Sequence, residues 1–129
     1  MMMHVYGVRR VVMGLSVVVA AVVASTSAHS EYIFTTPQAK TQNRIYWLDR
    51  YTGTVGACQF VPKAGTPGTM QCFPPGDNAQ SMPSGDYDLM PTSLENELGI
   101  FRLNRTTGET SLCFVKDEKV LCTPQAIAR

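Results

Sequence analysis

The chain has 129 residues, 44% of them hydrophobic, with 11 basic and 10 acidic side chains. That length fits one domain, which excludes a multidomain enzyme and a polytopic membrane protein, and the near-zero charge excludes a strongly basic nucleic-acid binder.

The apolar residues are unevenly spread. Arg9 and Arg10 precede a block from Val11 to Ala24, followed by the small polar run Ser25 to Ser30. This is the build of a secretory signal peptide. The block is 14 residues long, short of the roughly 17 to 25 that cross hydrocarbon. Cleavage after Ala28, or alternatively Ala24, is therefore expected rather than a permanent anchor. The flanks of Arg9-Arg10 lack the polar lead of a twin-arginine signal. The first cysteine is Cys58, so lipid attachment at a mature N-terminal cysteine is not expected. The predicted product, residues 29–129, is a soluble periplasmic or secreted domain with 9 basic and 10 acidic residues once the two leader arginines are removed.

Shifting the chain by 55 positions aligns I-Y-W-L-D-R-Y-T-G-T-V-G-A-C (Ile45 to Cys58) with I-F-R-L-N-R-T-T-G-E-T-S-L-C (Ile100 to Cys113) without a gap. The register extends back to Glu31-Tyr32 on Asp86-Tyr87 and Phe34 on Leu89. Two related units follow, about 31–73 and 86–122.

In chain order, a first strand is expected near Tyr32 to Thr35 and a second at Ile45 to Asp49. The latter ends in D-R-Y-T-G, where the Asp49 carboxylate accepts backbone N–H groups and Gly53 takes the left-handed conformation. A third strand at Val55 to Val61 and a fourth at Thr69 to Phe73 flank the turn-rich P-K-A-G-T-P-G. Pro74 to Gly85 reads as a linker between units. The second unit repeats the scheme from Tyr87 to Met90, with one helical turn possible over Ser93 to Leu98. Its second hairpin loop is N-R-T-T-G, and its last turn is tipped by Asp117-Glu118. Gln125 to Arg129 reads as a tail. Tyr46 and Leu48 share a strand face with the aligned Phe101 and Leu103, so these four are the expected core. The Trp47 position, which becomes Arg102, is expected at the periphery.

Four cysteines in an exported chain point to disulfides. Counting back from the Asp117-Glu118 tip sets Cys113 opposite Cys122, at a non-hydrogen-bonded pair whose Cα atoms lie about 4.5 Å apart, close enough for a disulfide. The same count sets Cys58 opposite Cys72. Each closed loop contributes on the order of 3 kcal/mol in the chain-entropy model. A tetracysteine zinc site would need close C-x-x-C pairs, which are absent.

The strand ending in L-D that leads through x-x-T-G into another strand resembles the blade repeat of quinoprotein-type β-propellers, and also small exported bacterial proteins with an R-L-D-x-x-T-G hairpin and a later cysteine. The resemblance implies propeller-blade-like β-units. It implies no activity and no quinone, because the tryptophan that often ends the blade motif is absent. Two units cannot close a propeller, which takes about four to eight blades.

Histidine occurs only at His4, in the leader, and His29, so no Ser-His-Asp or Cys-His arrangement can be assembled. Paired carboxylates at Asp86, Asp88, Glu95 and Glu97 are the remaining basis for a hydrolase acting on envelope polymers or peptides. Asp86-Tyr87-Asp88 lacks the regular ligand run of a calcium loop, and no metal or cofactor is expected. Trp47 and Tyr51, near a hairpin tip, form a candidate contact platform for a protein or glycan of the envelope. Lys63, in the loop between Cys58 and Cys72, is a bait residue if the chain inhibits a secreted enzyme.

The reading is an all-β protein after an N-terminal signal helix. Two tandem four-stranded antiparallel meander repeats pack as a pseudo-twofold sandwich or partly open barrel, acting as a disulfide-stabilised, non-enzymatic binding or structural module.

Overall fold

The computed structural model describes residues 29–125 together with Ala21; the remainder of the expected leader and residues 126–129 of the tail lie outside the described residues. The described part is all-β. Eight strands run β1 (Tyr32–Thr35), β2 (Arg44–Asp49), β3 (Val55–Val61), β4 (Thr69–Phe73), β5 (Tyr87–Pro91), β6 (Ile100–Asn104), β7 (Thr110–Lys116) and β8 (Lys119–Cys122). They form two four-stranded antiparallel meanders, β1-β2-β3-β4 and β5-β6-β7-β8, which are not closed into a barrel. The 93–98 stretch makes a tight turn, with Glu97 N–H bonded to Leu94 C=O at 3.1 Å.

The repeated hairpins are built alike. Asp49 Oδ1 accepts the N–H groups of Tyr51 and Thr52 at 3.0 and 3.2 Å, and Asn104 Oδ1 accepts those of Thr106 and Thr107 at the same distances. Gly53 (φ 71°) and Gly108 (φ 78°) then close the turns in the left-handed region that glycine enters without a Cβ penalty. Asp117 and Glu118 take φ of 50° and 61°, as a two-residue hairpin turn requires at both central positions. The register sets Cys58 opposite Cys72 and Cys113 opposite Cys122. Both pairs are disulfides, each with Cα atoms 4.0 Å apart.

The core lies between the sheets. The first sheet buries Tyr46, Leu48, Val55, Ala57 and Phe73, and the second buries Tyr87, Leu89, Ile100, Cys113 and Val120. Burying each large side chain contributes about 1.5–3 kcal/mol. Two expected core residues fall on the other side: Phe101 is 38% exposed, and Leu103 shares its outward face, whereas Arg102 is fully buried. The first unit turns one face of its repeat inward and the second unit turns the opposite face. The sandwich is therefore front to back, and equivalent faces do not meet across it as they would around a twofold axis. One consequence is visible in the disulfides. Cys113–Cys122 lies in the core, whereas Cys58–Cys72 lies on the outer side of its sheet.

The stretch between the units is part of the fold. Val120 N–H bonds Pro74 C=O at 3.0 Å, Gly76 N–H bonds Val120 C=O at 2.7 Å and Cys122 N–H bonds Asp77 C=O at 3.0 Å, so this segment runs along the free edge of β8. It then wraps the first hairpin, where the fully buried Ala79 accepts Val55 N–H through its carbonyl at 2.8 Å.

Candidate functional site

Side chains alternate across a strand, so the residues between the buried ones of β2 and β3 form the outer face of the first sheet. Direct cross-strand partners share a face. Phe34 opposite Trp47, Trp47 opposite Gly56 and Ile45 opposite Cys58 therefore all point outward. Tyr32 and Phe34 are 53% and 59% exposed. Trp47 is half-buried because its indole lies across β3 at Gly56, where any Cβ would run into Trp47 Cε2 and Cζ2. Tyr32 meets the same indole edge to face, with ring centroids 5.8 Å apart. Such a pair adds about 0.5–1.5 kcal/mol beyond its buried area. The result is a preordered aromatic surface on a rigid sheet.

A charged edge borders this surface. Arg50 Nε donates to Asp86 Oδ1 at 2.8 Å and Nη1 donates to Glu31 Oε1 at 3.1 Å. These partners raise the Arg50 pKa, and the Arg50 guanidinium holds the Asp86 carboxyl below its ordinary value of 3.8. Arg105 approaches Asp86 at 3.9 Å and Asp88 at 4.0 Å.

Arg102 stitches the two sheets together from inside. Its Nη1 donates to Gly53 C=O and its Nη2 to Asn78 C=O, both at 2.8 Å, and Nε donates to Ser111 Oγ at 3.2 Å. Burial pushes its pKa below the usual guanidinium value. Across the interface Tyr46 Oη donates to Leu98 C=O at 2.8 Å, and burial raises its pKa.

The residues singled out from sequence have these surroundings. Trp47 takes Tyr32 as its aromatic neighbour, while Tyr51, 38% exposed, sits at the hairpin tip with its hydroxyl 3.4 Å from Glu31 Oε2. Lys63 is exposed in the β3–β4 loop, and its carbonyl already accepts the Thr66 N–H at 3.2 Å and hydroxyl at 2.9 Å. Asp86 and Asp88 adjoin one end of β5 and Glu95 and Glu97 lie beyond the other. From Asp88 to the end of the strand at Pro91 the chain rises about 10 Å at roughly 3.3 Å per residue, and Glu95 and Glu97 follow beyond it. Glu97 Oε1 is engaged by Gly99 N–H at 3.0 Å. Open polar hollows of about 460 and 380 Å³ adjoin the β1–β2 connection, and Lys40 lines both. Among the described residues, no group of three or more His, Cys, Asp and Glu could hold a metal ion, and no helix is long and apolar enough to cross a membrane.

Tyr32 and Phe34 are the surface residues that the sequence reading passed over as contacts. Their signal was present in the alignment of Tyr32 with Tyr87 and Phe34 with Leu89, whose second members are core. Fold and site together define a doubly stapled, two-sheet β-meander sandwich with an exposed aromatic face. No family model, curated protein or solved structure matches the chain.

Proposed function

We propose that this chain is an exported, non-enzymatic contact module that works in the periplasm or outside the cell, presenting the outer face of its first sheet to a protein partner. The observation that carries the reading is the outward aromatic surface of Tyr32, Phe34 and Trp47, in which the indole lies across Gly56 and Tyr32 and Phe34 are exposed among the described residues. Large aromatic side chains on a rigid element lose little entropy on contact and dominate interface energetics. Two disulfides suit an oxidising, extracytoplasmic setting. The engaged carbonyl of Lys63 argues against a bait loop, because a protease would need that carbonyl free for its own hydrogen bonds. The separation of the two carboxylate pairs likewise argues against a joint acid–base site.

The test is crosslinking in the native cell envelope with Phe34→Ala and Trp47→Ala variants, and with Lys63→Ala as a control. The two aromatic variants are expected to lose at least tenfold of the crosslinked product while Lys63→Ala retains it. Unchanged products from both aromatic variants would refute the reading.

A further inference from the structure

The contact between the two sheets is heterologous: the front of one unit meets the back of the next. In the alignment at a shift of 55, the second unit's inward residues Tyr87, Leu89 and Ile100 correspond to Tyr32, Phe34 and Ile45, which face out from the first sheet. Conversely, the first unit's inward Tyr46 and Leu48 correspond to Phe101 and Leu103, which face out from the second. The chain thus displays on one side a surface related to the one its own core has already matched, with Trp47 in place of the tying Arg102, and on the other side a surface related to the complement.

The polar edge repeats in the same way. Arg50 bridges its own unit's Glu31 and the next unit's Asp86. Its equivalent, Arg105, lies near its own unit's Asp86 and remains 57% exposed on its side chain, against 32% for Arg50. Glu31, the equivalent of Asp86, is 50% exposed on its side chain. Backbone groups follow suit: Arg50 C=O accepts Tyr87 N–H at 2.9 Å, a bond whose counterpart would join Arg105 C=O to Tyr32 N–H of another copy.

We propose that the partner of the aromatic face is a second copy of this chain, whose second sheet stacks on it front to back as the two sheets do within one chain. The inference rests on the contact-module reading and names its partner. A heterologous contact repeats until it closes into a ring or runs on as a filament. Closed rings of four-stranded blades hold about four to eight sheets, which corresponds to about two to four chains of two sheets each.

The experiment uses the full chain with both disulfides oxidised. Its mass is followed by sedimentation and native mass spectrometry from micromolar to millimolar concentration. The wild type is expected at a discrete multiple of the protomer mass. Phe34→Asp and Phe101→Asp change exposed positions on the two opposite outer faces. Each alone is expected to weaken self-association at least tenfold, with a circular-dichroism spectrum matching that of wild type showing that the protomer is intact, since loss of association by itself lowers the melting temperature. Mixed, they are expected to form a one-to-one heterodimer, because one good face of each chain remains. A wild type that stays monomeric throughout would overturn the proposal, as would a Phe101→Asp variant that assembles like wild type, which would mean that identical faces meet. A monomeric wild type whose crosslinked product still depends on Phe34 and Trp47 would sink this inference alone and leave the contact-module reading standing.

Discussion

Replacing Arg102 with alanine tests how the two sheets are joined. Its guanidinium is fully buried and faces two backbone carbonyls and a hydroxyl, with no carboxylate paired to it among the described residues. Hydrogen bonds from a charged donor are worth about 1.5–3 kcal/mol each, so three of them give roughly 4–9 kcal/mol before desolvation. Removing a cation from water opposes this by several kcal/mol. Truncation leaves Gly53 C=O and Asn78 C=O without their donor, at about 1–3 kcal/mol each, and adds a cavity. Arg102→Ala is therefore expected to lose about 3–5 kcal/mol. That is a large share of the roughly 5–15 kcal/mol typical of a domain. Arg102→Met fills more of the space and should recover about 1–2 kcal/mol of that loss. The assay is urea unfolding of the oxidised protein followed by Trp47 fluorescence, with hydrogen exchange read at the Gly53 and Val55 amides, which should open faster in Arg102→Ala. A loss below about 1 kcal/mol with unchanged exchange would refute the account of Arg102 as the internal tie.

The disulfides should rank against the chain-entropy order. Sequence separations of 14 for Cys58–Cys72 and 9 for Cys113–Cys122 make the first slightly more valuable by loop length, by about 0.4 kcal/mol. The second, however, is buried, and paired serines there would place two hydroxyls in the core at about 1–3 kcal/mol each. The Cys113→Ser/Cys122→Ser variant should therefore be the less stable by thermal melting, and mild reductant should open Cys58–Cys72 first in peptide mapping. Acid should act through Asp86, whose folded pKa is depressed below 3.8 chiefly by its hydrogen bond from Arg50. A depressed carboxylate pKa stabilises the fold above its unfolded value, and this contribution disappears as pH falls through the lowered one. Asp86→Asn should therefore melt below wild type at pH 7 and converge with it near pH 2; a constant gap across that range would contradict the pairing.

The local features were legible in the sequence because each is set within one hairpin. Asp49 and Gly53, Asn104 and Gly108, and the tip at Asp117-Glu118 fix the turns, and counting from the turns fixes both cysteine pairings. The choice of buried face was not legible. In β2 the alternating sets Tyr46/Leu48 and Ile45/Trp47 are both apolar, so a period of two offers two candidate cores and sheet stacking decides between them. Assuming that matching repeats bury matching faces then misplaced Phe101, Leu103 and Arg102. A buried arginine bonded only to carbonyls and a hydroxyl leaves no mark in composition, since its partners Gly53 and Asn78 are distant in sequence and contribute backbone atoms. The stretch from Pro74 to Gly85 read as a linker because its Pro, Gly and Asp content marks turns, which says nothing about what those turns pack against.

That stretch has a consequence for how the halves of the molecule depend on each other. Pro74 to Asp77 completes the hydrogen bonding of β8, and Ala79 completes that of the first hairpin. One short segment therefore serves both sheets, and neither sheet is finished until it is in place. A chain built from two copies of one unit has in this way become indivisible. It should unfold in a single cooperative step, and cutting it between Phe73 and Tyr87 should yield two fragments that are each structureless alone and regain order only together.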